Sequence, residues 1–401
     1  MKNNQKSILH YFWKYSPSDM GGVEMYISSL ASSLNKDFDF SIIADKVTNQ
    51  KSLELLNKLN VYRFGPKKEE NSSQILRFFD ILKNENEREK NKTNFLSNFD
   101  YNLIHVHGPL NYSNSVLGGA LFFNQYHKQS WLKSTKPKIM TFHGLPSVVL
   151  DNKYSFPFSK NYFSLWKKIE EKNVFDSNKV ICVDKYVIDE LKSRGIKQDL
   201  EFIPNGIDLG KFSPLSKEKA RKKVIDKFGN IFDENLCFLY LNRLSTEKGI
   251  EEIFNLSKSN LKFRIIISGT GVFEEKIKQL CINDSRFVYV GSIENSFAPI
   301  LMNACDYVLT PLKHPGATRT NIEAIATNTP VITTNIHNRY PVIDEKNGFI
   351  YDNSKPNELI NVLKKIIRTE PKFKQSVFNT KKDFDLSIVS KKIKKIYNEY
   401  I

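Results

Sequence analysis

Short runs of β-branched and aromatic residues recur along the chain, each followed by turn residues and then by apolar positions three and four apart. The first half carries SILHYFW, FSIIAD, NLIHVHG, KIMTFHG and KVICVD, and the second CFLYLNR, FRIIISG, FVYVG, YVLTP and PVITTN. Strand signals alternating with helical ones predict βαβ units and parallel sheets. Between the two series, EFIPNGIDLGKFSPL is rich in Pro, Gly and Asn and breaks the helical periodicity, the mark of a linker. The expected organisation is two doubly wound α/β domains, residues 1–205 and 206–383, with 384–401 forming a helix that packs back toward the first.

Val23, Tyr26, Ile27, Leu30, Ala31 and Leu34 follow the helical rule directly after Gly21 and Gly22, placing two glycines where a strand hands over to a helix. Near the end, Ile388, Val389, Ile393, Ile396 and Tyr397 share a face opposite paired lysines. That pattern predicts an amphipathic helix laid on a core, with a membrane surface as the other use of such a face. In KNENEREKNKTN, residues 83–94, charges run without apolar partners and predict an exposed helix end or a mobile loop.

A length of 401 residues suits two cores, and 40% hydrophobic with 26% charged residues excludes disordered and membrane-spanning classes. No apolar run reaches the ~18 residues that span a bilayer. The stretch from Met1 to Trp13 lacks the core and cleavage site of a signal peptide, so the expected location is the cytoplasm. Four scattered cysteines predict reduced thiols, and the seven histidines show no metal-ligand spacing, so neither a metal nor a cofactor is expected. The formal charge of +16 points to an anionic partner: nucleic acid, an acidic membrane leaflet or a phosphorylated substrate. Lysines scattered over solvated faces are the plain alternative. No RNA-recognition signature or zinc-finger spacing is present, so nucleic acid is not the expected partner.

Open α/β sheets bind ligands beyond the carboxyl ends of their strands, which directs attention to the residues just past each strand. Arg243 ends one strand, and Lys248 follows five residues on, before Gly249 and a helix. Two cations beside a helix N-terminus suit a diphosphate, unless they merely pair with Glu247 or Glu251. Gly269 and Gly271 in SGTGVFEE lack the third glycine of a dinucleotide fingerprint, Glu274 standing in its place. They either let a ligand approach or only form a turn. In KHPGATRTNIEAIATNTPVIT, Thr320 and Glu323 match a capping box. The alternative has Glu323 accepting hydrogen bonds from two neighbouring hydroxyls, with the Gly316, Ala317 and Thr318 amides on phosphate oxygens and Arg319 nearby. In the first half the strand-end candidates are Gly21, Gly22, His107 and His143 with Gly144.

The ordered set GGVEMYISSLASSL, TFHG, IPNGID, RLSTEKG, SGTG, VGSI and EAIATNTPVITTN resembles the retaining glycosyltransferases of family 4 (group 1) over nearly the whole chain. The resemblance implies the GT-B fold, two Rossmann-like domains facing a central cleft. It implies transfer of a sugar from a UDP- or GDP-linked donor to a glycan or lipid-linked acceptor, with retention and without a metal. Arg243 and Lys248 would hold the diphosphate, Glu323 the ribose, and Gly22 and His143 would border the sugar. One departure stands out: Pro315 occupies the place of a glutamate that the family carries eight residues before Glu323. The sugar contacts of that glutamate would pass to His314, to the Gly316 and Ala317 amides, or to nothing. The same departure raises the rival of a catalytically inactive partner protein of this fold. A lipid-linked acceptor would suit peripheral association with an anionic leaflet, which attracts each exposed lysine by about 1 kcal/mol.

Overall fold

The computed structural model describes residues 5–13, 15, 21–47, 50–56, 58–68, 74–108, 126, 129–151, 159–315, 319–337 and 339–401. Its contacts divide into two compact units, Met1–Gly206 with Leu386–Ile401, and Ile207–Asp385. In the first unit the described strands are β1 (Lys6–Tyr11), β2 (Phe38–Val47), β3 (Leu53–Leu56), β4 (Leu59–Lys68), β5 (Leu103–Gly108), β6 (Lys138–Phe142), β7 (Lys179–Cys182) and β8 (Leu200–Phe202). They join in the order β3-β4-β2-β1-β5-β6-β7-β8, with β3 antiparallel to β4 and the other pairs parallel. Helices α1 (Gly22–Leu34), α2 (Gln74–Asn98), α3 (Pro146–Asp151), α4 (Ser159–Phe175) and α5 (Lys185–Ser193) connect them.

The second unit holds β9 (Cys237–Leu241), β10 (Arg264–Ser268), β11 (Phe287–Tyr289), β12 (Tyr307–Thr310), β13 (Val331–Thr334) and β14 (Gly348–Tyr351) in a parallel sheet ordered β11-β10-β9-β12-β13-β14. Its helices are α6 (Lys217–Phe228), α7 (Ile250–Leu256), α8 (Glu274–Asn283), α9 (Ala298–Ala304), α10 (Arg319–Ala326) and α11 (Glu358–Thr369). Both faces of the sheet are covered. Ile266 of β10 enters one core cluster while Ile265 and Ile267 enter the other, which is why this strand reads as a continuous apolar run.

The last helix, α12 (Leu386–Tyr400), belongs to the first unit and packs on α1. It buries Val389, Ser390, Ile393, Ile396 and Tyr397, so the predicted face is right except that Ile388 is 43% exposed and Ser390 takes the inward place. The charge run on α2 corrects the expectation of an exposed segment. Asn86, Glu87 and Lys90 are exposed, but Arg88, Glu89 and Lys92 are buried. Lys92 Nζ lies 2.5 Å from Asp45 Oδ1 and 2.7 Å from Glu89 Oε1, and Glu89 Oε2 accepts the Ser130 backbone N–H at 2.6 Å. A buried charge is tolerated when it is paired and hydrogen-bonded, and apolar periodicity cannot see such a face. No helix among the described residues is long and apolar enough to cross a membrane.

Candidate functional site

In the second sheet β9 is flanked by β10 on one side and β12 on the other, so successive crossovers leave it in opposite directions. Such a switch point opens a crevice at the strands' carboxyl ends. The loop after β9 is laid against the loop after β10 by two bonds, Asn242 N–H to Ser268 O at 3.2 Å and Leu244 N–H to Thr270 O at 2.8 Å. That close approach explains the glycine pair. A Cβ on Gly269, whose φ is +136°, would lie 2.0 Å from Asn242 O, and one on Gly271 would lie 2.3 Å from Leu244 O. The room these glycines make is filled by the β9 loop, which supports the turn-forming alternative: they let that loop, which carries Arg243, pack closely.

Arg243 is exposed, and Lys248 ends a short 3₁₀ turn (Thr246–Lys248) ahead of α7. Glu251 pairs with Lys313 at 3.3 Å, and Lys248 Nζ instead lies 3.1 Å from His314 Nε2. His314 Nδ1 lies 2.9 Å from Pro315 O, so it carries the proton and leaves the Nε2 lone pair to the ammonium. Burial, then the Lys248 charge, brings the His314 pKa down to about 4. Burial, then Arg243, brings Lys248 down to about 8, with Glu247 opposing and Arg339 adding to the fall. Both ring nitrogens of His314 are thus engaged in the free protein, Nδ1 by Pro315 O and Nε2 by Lys248. Arg339, which no sequence pattern marks, is buried; its Nη2 donates to His314 O at 3.0 Å and Thr334 Oγ1 at 2.8 Å.

Helix α10 brings Arg319 and Glu323 onto one face, one turn apart. Arg319 Nε donates to Glu323 Oε1 at 2.6 Å. Thr320 lies inside the helix and directs its hydroxyl to Leu241 O, 3.5 Å away, so the capping-box pattern is not how these residues are used. Glu323 is buried, and burial raises its pKa against the opposing charges of Arg319 and Lys211. Arg319 Nη1 is buried with no acceptor among the described residues. Lys211 was not legible from sequence; burial, then the Arg319 charge, lowers its pKa. Gly316, Ala317 and Thr318 lie outside the described residues.

In the first unit Gly22 opens α1, and a Cβ there would meet nothing within 4 Å. His143 follows β6 with its backbone N–H on Gly108 O at 3.2 Å and its ring 5.0 Å from that of Tyr26. Its Nε2 is 3.1 Å from His107 Nδ1, and His107 Nε2 is 2.7 Å from His10 Nδ1. His105 stacks on His107 at 4.4 Å. The expectation that the histidines do not cluster is therefore corrected. Pairing of β1 with β5 sets His10 beside His105, and the alternation of a strand puts His105 and His107 on one face, a signal present in the sequence as H-x-H. Burial lowers the pKa of all four rings, so each is neutral near pH 7. The thiols are free as expected, although Cys281 is only half-buried.

Comparison with known proteins adds the following. Residues 20–211 match Glycosyltransferase Family 4 and residues 221–383 match Glycosyl transferases group 1. An alpha-monoglucosyldiacylglycerol synthase of Streptococcus pneumoniae is 30% identical over 39% of this chain and 37% of its own length, so the chain aligns with well under half of that relative. Sucrose-phosphate synthase from Thermosynechococcus elongatus superposes with a TM-score of 0.76 over 98% of this chain and 99% of that one, at 18% identity. HepE of Anabaena, solved in complex with UDP-glucose, gives 0.67 over 98% and 99%, at 16% identity. These likenesses establish the GT-B fold.

Proposed function

Because this chain belongs to the family that joins a Glycosyltransferase Family 4 domain to a group 1 glycosyl transferase domain, we propose that it transfers a sugar from a nucleoside diphosphate to a glycan or lipid-linked acceptor. One observation carries the reading: Lys248 is held against a neutral imidazole rather than a carboxylate, with Arg243 and Arg339 acting on it, so its charge awaits an anion. A diphosphate meets that need. Glu323 accepts the ribose hydroxyls, and Arg319, whose Nη1 has no acceptor among the described residues, reaches a donor oxygen. Gly22 and His143 border the sugar.

In the proposed reaction the bond from the anomeric carbon to the diphosphate oxygen breaks and the acceptor oxygen bonds to that carbon from the same face. The acceptor's proton passes to the departing phosphate oxygen, and the configuration is retained. Arg243 and Lys248 neutralise the leaving charge, so no metal is needed; a preorganised group of this kind supplies roughly 3–4 kcal/mol. The relative named for glucosyldiacylglycerol synthesis supports a glycolipid product, with a surface polysaccharide as the other choice, and the UDP-glucose in the Anabaena structure supports a UDP-linked donor, with GDP as the alternative. The reaction is placed in the cytoplasm, at an anionic membrane face. The test is consumption of a panel of UDP- and GDP-sugars with lipid and glycan acceptors in EDTA, with the product anomer read by NMR. Nucleotide binding without consumption of any sugar nucleotide would favour an inactive member of the family.

A further inference from the structure

The first unit buries a chain of three imidazoles that the transfer chemistry leaves unexplained. His10 Nδ1 faces His107 Nε2 at 2.7 Å, and His107 Nδ1 faces His143 Nε2 at 3.1 Å. A neutral imidazole has one N–H and one lone pair. His107 therefore donates across one gap and accepts across the other, which forces its neighbours into its own tautomer. Two arrangements satisfy both gaps: Nδ1–H on every ring, or Nε2–H on every ring. A ring out of step sets two lone pairs or two N–H groups face to face, and each unsatisfied buried group costs about 1–3 kcal/mol.

The chain has one closed end and one open end. His10 Nε2 is buried without a hydrogen-bond partner among the described residues, and the half-buried His143 keeps Nδ1 free of any described partner at the end of β6. A ligand at His143 Nδ1 thus meets a group whose donor or acceptor character is set by two rings behind it. Metal ligation does not explain the cluster, although His10, His105 and His107 lie close enough together to be considered. Both nitrogens of His105 are held at 2.6 Å, by the Tyr397 hydroxyl and Thr141 Oγ1, and both of His107 by its neighbours, which leaves only His10 Nε2 uncommitted.

We propose that His107, backed by His10, is a positioning residue that locks the orientation and tautomer of His143, so that His143 meets the transferred sugar with one fixed hydrogen-bonding role at Nδ1. The inference rests on the reading that His143 borders that sugar. Ring nitrogen shifts of the full-length protein carrying ¹⁵N-histidine test the coupling near neutral pH. One shared tautomer for His10, His107 and His143 is expected, and unlike tautomers within the three would overturn it.

Two variants test the functional half, because an Asn amide reaches the place of Nδ1 and a Gln amide that of Nε2. His107→Asn keeps the His143 contact and His107→Gln keeps only the His10 contact. His107→Asn, which still holds the His143 ring but can turn either its N–H or its C=O to Nε2, should lose only about threefold in kcat, while His107→Gln should lose about tenfold with little change in KM, and the His143 ring should become a mixture of tautomers in both. Similar melting temperatures for the two variants exclude a folding defect, and equal losses of activity would overturn the proposal. Full activity of His143→Ala would instead fault the placement of His143 at the sugar, whatever the spectra show, and the functional half would fall with it.

Discussion

Raising the pH through the titration of Lys248 should release a bound nucleoside diphosphate. The free protein holds this lysine at about 8, because burial and the Arg243 charge penalise the ammonium. A bound diphosphate supplies the missing negative charge and should restore the pKa to its ordinary value of about 10.4 or higher. Binding then takes up a proton. Affinity should be flat near pH 7, begin to fall at about pH 8, and be about tenfold weaker at about pH 9, a change of roughly 1.4 kcal/mol. The terminal phosphate of the nucleotide, with a pKa near 6, is already ionised in this range and adds no slope of its own. Stability runs the other way. Because the folded pKa lies below the unfolded one, the native free protein binds fewer protons between about pH 8 and 10.4, and this group's contribution to stability rises across that window. Calorimetric titration of UDP from about pH 7 to 9, below the ionisation of the uracil ring, in buffers of differing ionisation enthalpy, measures both affinity and proton uptake. Lys248→Met should bind about 10- to 100-fold more weakly near pH 7, the loss of one charged hydrogen bond, and show no slope. A pH-independent wild-type affinity, or a slope that survives in Lys248→Met, would refute the reasoning.

Glu323→Gln should weaken UDP by about 10- to 100-fold while leaving inorganic pyrophosphate unaffected, since the carboxylate is assigned to the ribose; equal losses by calorimetry would contradict that assignment. The four buried histidines should make the protein acid-sensitive. Burial holds their folded pKa values below the unfolded value near 6.5, so stability is lost as pH falls below about 6.5, by up to about 1.4 kcal/mol per pH unit for each ring. Urea unfolding at about pH 7 and pH 5 would count against this if the slope were smaller than one ring supplies. Lys92→Met should lower unfolding free energy by about 3–5 kcal/mol, because it strands Asp45 and Glu89 in the interior, and a near-neutral urea midpoint would contradict the pairing.

Much of this architecture is written in local pattern. Continuous apolar runs such as that of β10 mark strands covered on both faces, and the spacing of Tyr26, Ile27, Leu30 and Leu34 marks α1. Strands β3, β4, β8 and β14 escaped notice because LELL and LEF are short and the first two form an edge hairpin. The buried face of α2 escaped for a different reason: Arg88 and Lys92 are charged, and Lys92 is buried against the carboxylates of Asp45 from β2 and Glu89 from α2 itself. Strand-end logic singled out Arg243, Lys248 and His143 as candidates, and the expectation that Arg319 lies near Glu323 matches the bond between them on α10. Arg339 and Lys211 were invisible because each acts from an irregular segment on residues distant in sequence. The histidine cluster was legible in part, since H-x-H on a strand fixes a common face, but His10 joins only through the β1–β5 register. Gly269 and Gly271 are needed where the β9 loop approaches closely, a requirement that the glycine pair alone does not reveal in the sequence.

A crystal structure of the protein with a bound nucleoside diphosphate tests the central claim most directly. The phosphates should lie on Arg243 and Lys248 at the carboxyl ends of β9 and β12, with Lys248 drawn off His314 and the ribose hydroxyls on Glu323. Phosphates bound elsewhere, or a ribose that leaves Glu323 untouched while Lys248 stays on His314, would contradict it.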